Sequence, residues 1–179
     1  VGYIAGTPYV GANVDMYAGP GGYRGEFMAW DPVKRTKVWS IKESFPVWSG
    51  ALATAGDVVF YGTMDRWFKA VDAKTGKELW KFHADSGFIG QPVTFVGNDG
   101  IQYIAILSGV GGWPGVVANA KIDPRVRNGA LGFTGAMQDL PKVTVGGNSL
   151  LVFSLGRVPS NAPSSQPQNP SDTVPSEQH

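Results

Sequence analysis

The chain has 179 residues, with 25 glycines, 13 prolines, 6 tryptophans and no cysteine; 16% are charged and the formal net charge is +1. So small a charge excludes nucleic acid as a partner on electrostatic grounds. The missing Cys removes a disulfide framework, a thiolate nucleophile and a Cys-held zinc site, and no run of about 18 apolar residues could cross a bilayer as a helix. The chain opens on Val1-Gly2-Tyr3 without Met or a leader pattern, which reads either as a chain whose leader was removed or as a piece of a longer polypeptide.

In chain order, residues 1–25 are Gly-rich, with Gly19-Pro20-Gly21-Gly22 as a loop. That loop lacks the Lys and the strand–loop–helix setting of a phosphate loop. Residues 26–112 alternate short apolar runs with turn signals. Val58–Gly62, Trp67–Val71, Glu78–Phe82, Pro92–Val96 and Gln102–Leu107 are predicted strands, rich in β-branched and aromatic residues. Met64-Asp65-Arg66, Asp72–Gly76 and Gly97-Asn98-Asp99-Gly100 are the turns between them. Residues 113–145 show no sustained period and read as a long excursion with at most short helical turns. Ser149–Leu155 is a further apolar run. Residues 157–179, mostly Ser, Pro, Gln, Asn and Thr, are expected to be a disordered tail, because they cannot bury enough apolar surface to offset their ordering entropy.

An internal repeat decides the architecture. Ala29–Trp39 aligns without gaps onto Ala70–Trp80, with Ala, Asp and Trp recurring after about 41 residues. That spacing belongs to four-stranded propeller blades. The expected fold is all-β, a partial β-propeller of about two to three blades, because 156 residues at roughly 40–45 per blade cannot close a ring. An open arc leaves strand edges unpaired, so the chain alone is not expected to be a stable monomer. Trp39 and Trp80 are read as docking residues that pack between blades, the small Ala of the repeat leaving room for each ring. Trp30 and Trp67 read as packing residues and His83 as a surface or capping residue after its strand. Asp15, Asp31, Asp65, Asp72 and Asp99 read mostly as turn formers. The cluster Lys34, Arg35 and Lys37 reads as a solvated turn, and His179 carries no reading.

The stretch Tyr61-Gly62-Thr63 through Ala70-Val71-Asp72-Ala73-Lys74-Thr75-Gly76-Lys77-Glu78-Leu79-Trp80-Lys81-Phe82 resembles the tryptophan-docking repeat of the quinoprotein alcohol dehydrogenases. These are eight-bladed propellers that use pyrroloquinoline quinone (PQQ). Pro46-Val47-Trp48-Ser49-Gly50-Ala51-Leu52-Ala53-Thr54-Ala55-Gly56-Asp57 and Ser108-Gly109-Val110-Gly111-Gly112-Trp113-Pro114-Gly115 resemble the carboxy-terminal part of the methanol dehydrogenase large-subunit family. Arg24–Pro32 together with Ala130–Gln138 leans toward its lanthanide-dependent type rather than the calcium type. The resemblance covers residues 1–156 and leaves out the tail.

The resemblance implies oxidation of a primary alcohol to an aldehyde, in the periplasm, by PQQ bound with a lanthanide or calcium ion. It also implies electron transfer to a c-type cytochrome, a homodimer, and partnership with the remaining blades. The family's metal ligands, base Asp and vicinal cysteines match no residues here, so no catalytic or metal residue is assigned. Trp48, Gly112 and Trp113 are the cofactor-lining positions implied. Indole N–H groups suit quinone oxygens, and Gly111 and Gly112 permit close approach of a planar ligand. By residue type alone, Trp48 and Trp113 read as packing residues. A second function class, a non-catalytic β-propeller scaffold for protein–protein binding, fits the docking repeat but gives no reason for both Trp-bearing stretches.

Overall fold

The computed structural model describes residues 16–119 and 132–155. The predicted tail, Asp15, His179 and Ala130 lie outside the described residues.

Strands form where the aromatic and β-branched runs stand, and they sort into three antiparallel sheets. β1 (Gly25–Asp31) pairs with β2 (Thr36–Glu43). β3 (Leu52–Ala53), β4 (Val58–Gly62), β5 (Trp67–Asp72) and β6 (Glu78–His83) form a four-stranded meander in chain order. β7 (Val93–Val96), β8 (Gln102–Ser108) and β9 (Ser149–Ser154) form the third sheet, again in chain order. Among the described residues between β8 and β9 lie three short helices, α1 (Gly112–Asn119), α2 (Phe133–Ala136) and α3 (Leu140–Val143). This is the all-β partial propeller expected, with one complete four-stranded blade among the described residues.

The repeat is visible in the backbone. Asp31 Oδ1 accepts hydrogen bonds from the N–H groups of Val33 and Lys34 (2.9 and 3.0 Å), and Asp72 Oδ1 accepts from Lys74 and Thr75 (3.0 and 2.8 Å). Each hairpin shifts register at the same point, between Ala29 and Trp30 and between Ala70 and Val71. Ala29 is the cross-strand partner of Trp39, and Ala70 that of Trp80, so each ring stands beside the smallest side chain available. The left-handed turn position is filled by Gly76 (φ 73°) in the second hairpin and by Arg35 (φ 53°) in the first.

The sheets are joined through side chains. The Trp39 indole N–H donates to the carbonyl of Ala73 (2.9 Å), tying the first sheet to the second. Phe27 stacks on Tyr61 with centroids 3.9 Å apart. The Tyr61 hydroxyl donates to Glu43 Oε1 (2.7 Å), and the Lys69 ammonium donates to both Glu43 oxygens (2.7 and 2.9 Å). Glu43 is buried, but its charge is paired and its oxygens are bonded, as burial of a carboxylate requires. Burial, and next its bond to Glu43, holds the Tyr61 phenol well above its usual pKa. Between the second and third sheets, Phe68, Ala84, Phe88 and Ile106 form a buried core flanked by Phe60, Ile104, Leu151 and Phe153. Trp80 meets Phe153 edge to face at 5.2 Å.

One expectation needs correction. Trp30 is not packed among the described residues: it is 55% exposed, because strand alternation puts it on the same open face of β1 as Met28, opposite the face on which Phe27 stacks on Tyr61. His83 is the exposed last residue of β6, in keeping with a surface role, its ring tilted 52° to that of Trp67 at 4.4 Å. Trp67 is half-buried, in keeping with a packing role.

Candidate functional site

Trp48 lies on the connection between β2 and β3. Its neighbour Ser49 anchors it: the buried hydroxyl accepts from the Gly62 N–H (3.1 Å) at the end of β4 and donates to the Gly50 carbonyl (2.8 Å). Trp48 itself stays 42% exposed. Phe133, the first residue of α2, stacks against its ring with centroids 5.2 Å apart and planes 25° apart. The indole therefore has a backing ring and retains open surface.

Phe133 belongs to a buried cluster with Phe45, Met64, Val117, Met137 and Leu140. Trp113, on α1, is half-buried and packs against that same cluster. The two tryptophans singled out from sequence, 65 positions apart in the numbering, are thus both seated on one apolar floor built from loops and the excursion. α1 forms although Gly and Pro open it. Pro114 sits in the first turn, where a missing N–H breaks no helical bond, and the Gly115 N–H donates to the Gly111 carbonyl (2.9 Å). Gly112 has φ +54°, and a Cβ at Gly111 or at Gly112 would meet nothing within 4 Å. Open space therefore borders the backbone that leads into Trp113.

One ion pair ties this floor to β1. The Arg24 guanidinium donates from Nη1 and Nη2 to the two carboxylate oxygens of Asp139 (2.5 and 2.8 Å). It also donates to the Ala136 carbonyl (2.6 Å) and, from Nε, to the Ser44 carbonyl (2.7 Å). Its carbon lies 4.2 Å from the Phe45 ring centroid. The Arg24 hydrogen bond holds the Asp139 carboxyl below its usual pKa. Arg24 and Ala136 fall in the two stretches whose likeness leaned toward the lanthanide-dependent type, and the structure brings them into contact, with Asp139 one residue beyond the second stretch.

Ser49, Arg24 and Phe133 lie in the stretches that carried the resemblance but were given no role of their own, and Asp139 lies outside them. Nothing local marks Phe133 or Asp139, because their partners lie far away in sequence. The aspartates behave as predicted at Asp31, Asp72 and Asp99, the last accepting from the Ile101 N–H (3.0 Å). Asp65 differs: it sits in its turn with a buried Oδ1 that has no partner among the described residues. Among the described residues no three His, Asp or Glu side chains gather as a cation site. In the basic cluster, Lys34 and Lys37 pair with Asp31 and Glu26.

The chain is similar to known proteins along most of its length. Residues 21–104 match the family model described as glucose/ethanol/alcohol dehydrogenase, β-propeller domain, of the PQQ group. A lanthanide-dependent methanol dehydrogenase of Methylacidiphilum fumariolicum is 52% identical over 158 residues, 86% of this chain and 26% of that protein. Subunit 1 of a methanol dehydrogenase [cytochrome c] from Methylobacterium organophilum is 45% identical over 168 residues, 90% of this chain and 26% of that one. Among solved structures, a europium-containing methanol dehydrogenase superposes with a TM-score of 0.77 at 51% identity, over 86% of this chain and 28% of the other. The chain spans about a quarter of the length of these relatives. By sequence and by fold, this chain is similar over most of its length to one part of methanol dehydrogenases, and its residues 21–104 match the β-propeller domain of the PQQ-group glucose/ethanol/alcohol dehydrogenases.

Proposed function

We propose that this chain supplies one wall of the quinone pocket in a PQQ-dependent dehydrogenase of the methanol dehydrogenase type. The complete polypeptide would oxidise a primary alcohol to an aldehyde. When bound, the quinone supplies the electron acceptor for that oxidation. This chain's own residues bind and orient. Trp48 offers a partly open ring face backed by Phe133. Trp113 offers a second indole on the same floor, and the backbone at Gly111 and Gly112 borders open space that a side chain would fill. The observation that carries the reading is the pairing of a partly exposed Trp48, backed by the Phe133 ring, with Trp113 on the same apolar floor beside the open backbone at Gly111 and Gly112. A planar aromatic ligand fits such a face.

No metal role goes to any described residue of this chain. The metal of the complete protein is read as a lanthanide, supported by the names of the relatives, with calcium as the alternative. Electron transfer to a c-type cytochrome is supported by the name of the Methylobacterium relative. A homodimer, a periplasmic location and the tryptophan-docking role of Trp39 and Trp80 complete the reading; the Trp39 bond to Ala73 supports the last. The test is reconstitution of the complete polypeptide with PQQ and metal, comparing wild type with Trp48→Ala and Trp113→Ala. Both variants should bind quinone more weakly and lose dye-linked methanol oxidation. If both match wild type in both measurements, the pocket-wall assignment is wrong.

A further inference from the structure

We infer that Arg24 and Asp139 are positioning residues for the quinone-facing wall, acting through Phe133 on Trp48; this rests on the pocket reading above. The structural argument starts from what Phe133 stands on. α2 has four residues and no side-chain cap at its N-terminal end, where Gly132 adopts φ 80°. α3 has four residues, and its capping Asp139 makes no capping hydrogen bond with its own side chain. Helices this short are unstable on their own. Something outside them must fix where Phe133 sits.

Arg24 does this from both sides. Its bidentate bond to Asp139 and its bond to the Ala136 carbonyl hold the α2–α3 connection, starting three residues after Phe133. Its Nε bond to the Ser44 carbonyl and its stacking on Phe45 hold the start of the segment that reaches Trp48. One planar guanidinium therefore fixes the two chain segments whose rings stack, Trp48 and Phe133, in relation to each other. The fork of five donors in a rigid plane makes this a task for Arg rather than Lys. The Arg24 side chain is largely buried at 12% exposure while that of Asp139 keeps 44%, so the weight of the argument rests on the four hydrogen bonds that the buried guanidinium makes. A ligand-facing ring held by such a support loses affinity when the support is loosened.

The test is a double-mutant cycle on quinone affinity in the complete polypeptide with its metal, reading the PQQ dissociation constant rather than turnover. Asp139→Ala should weaken PQQ binding by about tenfold, as Trp48→Ala should. The double variant Trp48→Ala/Asp139→Ala should be no weaker than Trp48→Ala, because Asp139 has nothing left to position. Arg24→Lys, which keeps the charge and loses the fork, should fall between wild type and Asp139→Ala. If Asp139→Ala does not fold, Asp139→Asn is read in the same cycle. Two outcomes overturn the positioning role while leaving the pocket intact: Trp48→Ala weakens binding but the Asp139 variant does not, or the two effects multiply. If Trp48→Ala itself leaves PQQ affinity unchanged, the pocket reading fails and this inference falls with it.

Discussion

The indole N–H of Trp39 donates to the carbonyl of Ala73 at 2.9 Å, and the ring lies so close over Gly76 that a Cβ there would come within 2.7 Å of Trp39 Cδ2. One side chain thus closes the first sheet onto the hairpin turn of the second. Trp39→Phe keeps most of the ring and deletes the donor. It should cost about 1 kcal/mol, with Trp39→Ala costing about 3 kcal/mol or more through the cavity it leaves. Chemical denaturation of the complete polypeptide measures both.

Arg35 and Gly76 occupy equivalent places in the two hairpins, with φ of 53° and 73°. A non-glycine residue there carries roughly 1–2 kcal/mol of backbone strain, partly offset by its smaller unfolded-state entropy. Arg35→Gly should therefore raise stability by about 0.5–1 kcal/mol. Gly76→Ala should lower it by about 2 kcal/mol or more, because it adds strain and also strikes the Trp39 ring. Opposite signs in the shift of the denaturation midpoint check the pair.

Tyr61 donates to Glu43 from a buried position, and its phenol is held well above its usual pKa by burial and by that bond. A raised folded-state pKa stabilises the protein fully below the unfolded value, near 10 for tyrosine, and that contribution is lost as pH rises toward the folded value. Stability should fall above about pH 10. Tyr61→Phe should flatten that fall while leaving the Lys69–Glu43 pair in place. Thermal melts at several pH values from neutral to alkaline test this.

Leu79, Trp80 and Phe82 on β6, Val93, Phe95 and Val96 on β7, and Leu150 and Val152 on β9 all keep more than a third of their surface exposed. So much apolar surface on edge strands promotes association. The 179-residue chain alone should sediment as associated species at micromolar concentration. A sharp cooperative melt of a purified monomer would contradict this.

The sheets were legible because strand signals are local. Val58–Gly62 stands as predicted, and the other predicted runs end within one residue of the observed strands, since β-branched and aromatic runs ended at Asp, Asn and Gly turns. The small Ala that the repeat sets aside for each Trp ring is its cross-strand partner, Ala29 for Trp39 and Ala70 for Trp80. β3 was not legible: at two residues it exists only because β4 lies beside it. Trp30 was misread because both faces of β1 carry large apolar residues, Phe27 on one and Met28 and Trp30 on the other, so the pattern alone does not show which face is covered. At the site, Trp48 and Trp113 stood out through their flanking residues. What supports them did not, because Phe133 and Asp139 earn their places only through contacts made across the fold.

The central claim, that Trp48 and the Gly111-Gly112-Trp113 stretch face the quinone, is tested most directly by a crystal structure of the complete polypeptide loaded with PQQ and metal. The account predicts the quinone within van der Waals reach, about 4 Å, of the Trp48 ring and of the Gly112–Trp113 backbone, with Phe133 still stacked behind Trp48. A quinone bound elsewhere, with Trp48 covered by another part of the protein, would contradict it.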